Sequence, residues 1–150
     1  PDEIPADPVP TSIAIGPDGA LYVGELKGFP AIPGTSRIWR IAPNARHAQC
    51  GTSSACRVVA SGFTSIIDMS FGRNGTAYVV ELDEASWLAV EGGEGQGGTV
   101  NACNIRTRPW SCSEVASGLP IPTAVAIDRG SIYVTLFGLV PGEAQVARLR

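Results

Sequence analysis

Thr11-Ser-Ile-Ala-Ile-Gly-Pro-Asp-Gly-Ala-Leu-Tyr-Val23 decides the fold, because the chain writes it three times. It returns as Ile67-Asp-Met-Ser-Phe-Gly-Arg-Asn-Gly-Thr-Ala-Tyr-Val79. It returns again, one residue shorter, as Thr123-Ala-Val-Ala-Ile-Asp-Arg-Gly-Ser-Ile-Tyr-Val134. The tyrosines align as Tyr22, Tyr78 and Tyr133, at spacings of 56 and 55. Two further elements recur in register. Cys56-Arg-Val-Val-Ala-Ser-Gly-Phe63 matches Cys112-Ser-Glu-Val-Ala-Ser-Gly-Leu119, and Pro33-Gly-Thr-Ser-Arg-Ile-Trp-Arg-Ile41 matches Pro141-Gly-Glu-Ala-Gln-Val-Ala-Arg-Leu149. A fixed period of this kind is the mark of a repeat architecture.

Each unit reads as β-strands. Pro17-Asp18-Gly19 and Arg73-Asn74-Gly75 supply the positive φ that tight hairpins need. The run that ends in Tyr-Val suits a half-buried pleated surface. Arg37–Ile41 alternates polar and apolar, as a third strand should, and 57–60 forms a fourth. No capped stretch of helical period is visible. Four antiparallel strands per unit, repeated radially, describe a β-propeller. The fold class is therefore all-β, with about three four-stranded blades over 9–63, 64–119 and 120–150. The third stops after its third strand. Residues 1–7 fall in the place of a fourth strand, but their prolines suit a ladder poorly. Propellers carry about 4–8 blades, so this is half of a six-bladed ring. Its partner is a second copy of the chain or an N-terminal half propeller.

Composition narrows the class. The 150 residues carry a net charge of −3, which excludes a basic nucleic-acid surface. Gly and Pro number 18 and 12, too many for a helical bundle, while 44% hydrophobic residues can still fill a core. No apolar run reaches the ~18 residues of a membrane span. The chain opens at Pro1-Asp2-Glu3 without Met, which reads as processed or cut from something longer.

Four cysteines allow three connectivities. The repeat alignment favours Cys50–Cys56 and Cys103–Cys112, each stapling the loop between a third and a fourth strand. Disulfides imply a secreted or periplasmic protein. The C-x5-C and C-x8-C spacings and the single histidine, His47, are poor zinc material.

Val9–Pro30 resembles the ScyD/ScyE family of secreted β-propeller proteins, as do Ser61–Asp68, Tyr78–Leu82 and Leu119–Ile127. The resemblance spans almost the whole chain and matches the C-terminal half of a family member. It implies a six-bladed, NHL-like or TolB-like propeller exported from the cytoplasm. Some members are linked to synthesis of the pigment scytonemin. The resemblance transfers no catalytic constellation. The extra cysteines and the acidic, Gly-rich Glu91–Gly98 depart from it.

Candidate site residues follow from the repeat. The innermost strands are expected at 11–15, 67–71 and 123–127. Asp68 and its aligned Ser12 would line a central channel, where an aspartate could offer oxygen ligands to calcium. The plainer alternative is a hydrogen-bonded residue of the wall. No other cofactor is implied. Glu25 and Glu81 align three residues after their tyrosines, with Leu136 in the third unit. They read as a shared acid/base or metal pair, or as acceptors for backbone at a strand end. Trp39 is expected between blades. Trp87, Trp110 and Phe29 are expected on a loop face, able to stack on a ligand. One histidine builds no catalytic triad, and Gly92–Gly98 is a flexible loop rather than a phosphate cradle. The leading function is a binding or scaffold module. The alternatives are a propeller enzyme of lactonase, sugar-dehydrogenase or pigment-biosynthesis type, and a structural subunit of an extracellular assembly.

Overall fold

The computed structural model describes residues 7–149. Among these residues eleven strands form three antiparallel sheets, each a meander in chain order. Sheet one holds β1 (Pro10–Ile15), β2 (Leu21–Glu25), β3 (Ser36–Ile41) and β4 (Cys56–Phe63). Sheet two holds β5 (Ile66–Phe71), β6 (Ala77–Glu81), β7 (Gly98–Asn104) and β8 (Ser111–Leu119). Sheet three holds β9 (Val125–Asp128), β10 (Ser131–Leu136) and β11 (Gln145–Leu149). Of residues 1–7, expected in the place of a fourth strand preceding the first blade, 1–6 lie outside the described residues.

The turns explain the repeat. Gly19 and Gly75 hold φ of 74° and 82°. The side chains of Asp18 and Asn74 accept the N–H two residues on, from Ala20 and Thr76. Asn and Asp serve here because their short side chains mimic a backbone turn. The third unit is one residue shorter, and Asp128 pairs with Ser131 across Arg129-Gly130. Both central residues have positive φ, 48° and 84°, the two-residue hairpin form. Gly16 is required for a different reason. A Cβ there would come within 2.2 Å of the Tyr22 ring, which folds back over the turn.

Period two then decides the packing. On β6, Ala77 and Val79 enter the core shared with sheet one, with Ile38, Ile66 and Met69. Tyr78 and Val80 face the core shared with sheet three, with Val100, Val125 and Val134. Sheet two is therefore covered on both faces. The first strands β1, β5 and β9 lie beside one another in series. Two hydrogen bonds tie them. Thr11 Oγ1 donates to the Ile66 carbonyl at 2.7 Å, and Val125 N–H donates to Asp68 Oδ2 at 2.8 Å. Sheet one keeps an open face, where Ile13 and Ile15 are 66% and 71% exposed.

One helix departs from the sequence reading. Trp87, expected in a loop, opens α1 (Trp87–Glu91), which Ser86 caps by accepting the Ala89 N–H. The Gly-rich segment behind it is anchored at its end, since Gly97 N–H donates to Asp83 Oδ2 at 2.7 Å and Gly98 begins β7. Both expected disulfides are present, Cys50–Cys56 and Cys103–Cys112, and no described cysteine is free. Among the described residues no helix is long and apolar enough to cross a membrane.

Candidate functional site

The aligned carboxylates Glu25 and Glu81 end β2 and β6. The strand register brings the same two positions of each third strand to them. Trp39 pairs with Val23 as Asn101 pairs with Val79, so Arg37 and Trp39 of β3 correspond to Thr99 and Asn101 of β7. Residues two apart on one strand share a face, so each pair reaches its glutamate from the same side.

The two sites differ in charge. Glu25 Oε2 meets Lys27 Nζ at 2.9 Å and Arg37 Nε at 2.8 Å, while Trp39 Nε1 donates to Oε1 at 2.5 Å. Burial pushes this carboxyl up, but the Lys27, Arg37 and Trp39 donors outweigh it and hold it below the usual range. Arg37 also lies 5.0 Å above the Trp39 ring. Trp39 is thus a half-buried partner of Glu25, on the open face of sheet one with Ile13 and Val23.

Among the described residues, no cation lies within ion-pair distance of Glu81. The Thr64 N–H donates to Oε1, and Oε2 accepts from Thr99 Oγ1 at 3.0 Å and Asn101 Nδ2 at 2.5 Å. Burial, reinforced by the nearby Glu84 carboxylate, raises its pKa to about 7 against these donors. Thr99 Oγ1 also lies 2.8 Å from Glu84 Oε1. A hydroxyl carries one hydrogen and can satisfy one of these two acceptors. The arrangement closes when Glu81 is protonated and donates to Thr99 Oγ1, leaving the Thr99 hydrogen for Glu84. Glu81, Glu84 and Glu114 line a cleft of about 400 Å³ at the edge of sheets one and two. Glu81 can hold and release a proton near neutral pH.

The other expected residues go elsewhere. Ser12 and Asp68 both sit just after a register break, at Pro10/Ser12 and Ile66/Asp68. Each break is a bulge, which re-aims the side chains beside it. Ser12 is buried against sheet two, since a Cβ on its partner Gly24 would come within 2.8 Å of Ser12 Oγ and 2.7 Å of Ile66. Asp68 reaches Val125 of sheet three, and burial raises its pKa against the Val125 and Met69 N–H groups. Neither shares a hydrogen bond with Glu25 or Glu81. Among the described residues, no three His, Cys, Asp or Glu side chains stand together to hold a metal ion.

The aromatics divide. Trp87 donates from Nε1 to the Lys27 carbonyl at 2.8 Å, and its N–H to Ser65 Oγ at 3.0 Å. It pins α1 over the loop that carries Lys27. Phe29 stays on that loop, 61% exposed. Trp110 is not on an open loop. It is 9% exposed, with its ring centroid 5.3 Å from Tyr22 and 6.4 Å from Phe71. Sequence reasoning missed Lys27, Thr99 and Asn101. The alternation of Thr-Val-Asn101 is their one local signal, and it becomes legible only once β6 and β7 are in register. No profile of a known family matches this chain, and no curated protein matches it.

Proposed function

We propose that the chain is a secreted or periplasmic β-propeller module of the ScyD/ScyE type that acts by binding or scaffolding. Its three sheets are three blades of a six-bladed ring, completed by a second copy or by an N-terminal half. The carrying observation is the contrast between covered and open sheet faces. Sheet two is buried on both sides, whereas Ile13 and Ile15 stand exposed on the equivalent face of sheet one. Apolar side chains repeated on a face that its neighbours bury mark an interface. The serial contact of β1, β5 and β9 supports a radial order. The two disulfides, with no free cysteine described, suit an oxidising compartment.

The test is the native mass by light scattering, for the chain alone and mixed with an N-terminal half. A particle near twice 15.6 kDa, reduced to 15.6 kDa by Ile13→Asp with Ile15→Asp, supports completion by a second copy. A one-to-one complex with the N-terminal half supports completion in that way. A monodisperse monomer that ignores both partners overturns the ring.

A further inference from the structure

A second cleft, of about 500 Å³, opens on the outer side of sheets one and two. We propose that it binds a small aromatic or amphipathic anion, a carboxylate or phosphate carried on a flat apolar body. The volume falls within the ~300–1,000 Å³ of small-molecule sites. Both walls belong to this chain, so the site does not depend on ring completion.

The charge of the cleft runs against the charge of the protein. The chain is acidic, at −3, yet Arg40, Arg57, Arg106 and Arg108 all line this one cleft. Among the described residues, Arg40 is the one of these four that is neutralised, by Asp18, through Nε at 2.9 Å and Nη2 at 2.7 Å. Among the described residues, no carboxylate lies within ion-pair distance of Arg57, Arg106 or Arg108. Arg40 and Arg57 are moreover directly opposite on β3 and β4. Like charges across a strand pair repel. Both lie on the face of sheet one that carries Tyr22, and Asp18 already screens Arg40, so the charge left uncovered is that of Arg57. An anion beside Arg57 would meet guanidinium groups without a carboxylate partner, and guanidinium groups suit carboxylate and phosphate through paired N–H donors.

The rest of the wall selects for an apolar body. Val58 is 41% exposed beside Pro109, and the edges of Tyr22 and Trp110 close the floor. That floor is rigid. Trp110 N–H donates to the Val59 carbonyl at 3.1 Å, which ties the loop before β8 to the outer strand of sheet one. Tyr22 is held by its hydroxyl against Asp18 at 3.3 Å. A ligand would thus meet a preformed apolar surface with three uncommitted cations at its rim.

Calorimetric titration of the full chain with 2-naphthoate tests this, with neutral 2-naphthamide as the control. The expected result is saturable binding of naphthoate that weakens with salt, and amide binding at least about tenfold weaker, as loss of a charge-assisted contact implies. Arg57→Gln and Arg106→Gln should each weaken naphthoate several-fold while the far-ultraviolet spectrum stays unchanged. Val58→Ser should weaken naphthoate and leave inorganic phosphate unaffected. No saturable binding in the millimolar range, equal binding of acid and amide, or indifference to both arginine changes overturns the proposal. Inorganic phosphate binding as tightly as naphthoate overturns its aromatic half. None of these outcomes bears on the oligomeric state.

Discussion

Glu81 accepts a backbone N–H that a proline denies Glu25, and Glu25 has cations that Glu81 lacks. Thr64 stands seventeen residues before Glu81 and gives it a backbone N–H. Pro8 stands at the same distance before Glu25, and a proline has no N–H to give. Lys27 and Arg37 hold Glu25 instead. In the third unit Pro120 again lacks the donor, and Leu136 needs none. The sign of the pH dependence follows. The folded state raises Glu81 from 4.5 to about 7, so folded Glu81 binds its proton more tightly than the unfolded chain does. Stability resting on its neutral form is complete below pH 4.5 and is lost as pH rises towards about 7. Glu81→Gln keeps an acceptor for Thr64 and removes the titration. In urea unfolding, the variant should gain on the parent across that window, by about 1–3 kcal/mol. A constant difference between the two proteins from pH 4.5 to 7 would show that Glu81 titrates as an exposed carboxyl. Glu25 has the opposite sign, its contribution present at neutral pH and lost as pH falls through its lowered value.

At the scale of the element, hairpins were readable and faces were not. Asp-Gly, Asn-Gly and the period-two runs mark β1, β2, β5 and β6 to within a residue or two, because turn chemistry and alternation are local. The five residues of α1 are too few to show a helical period, so only Ser86 announces it. The tryptophans show the deeper limit. Alternation tells that Trp39 and Ile38 face opposite ways, but which way meets a neighbouring sheet is decided by stacking. Ile38 took the core and Trp39 took Glu25. The disulfides were legible because the repeat places each pair across one loop. Their environments were not. Cys103 is fully buried within the core of sheets one and two, whereas the Cys50 loop is largely exposed. Closing a short loop is worth about 2–3 kcal/mol in either case. Cys103→Ala with Cys112→Ala also empties core volume, so in thermal melts it should cost more than Cys50→Ala with Cys56→Ala. Equal losses would mean that chain closure alone accounts for both.

At the scale of the whole molecule, the repeat foretold three similar units, and they are similar in topology but not in setting. No single unit contains the information that sheet two will be enclosed by the other two. That asymmetry has a consequence in time. Amide hydrogens leave through local openings, whose cost tracks the contacts that must break. To expose β6 or β7, both neighbouring layers must part, while β1 and β11 each need one to loosen or none. In deuterated solvent the backbone of Ala77–Glu81 and Gly98–Asn104 should therefore be the last to take up isotope, well after β11 and β1. If β9–β11 exchanged as slowly, some further layer would have to be covering them. The middle third of the chain is then its slowest clock, set by its neighbours more than by its own residues.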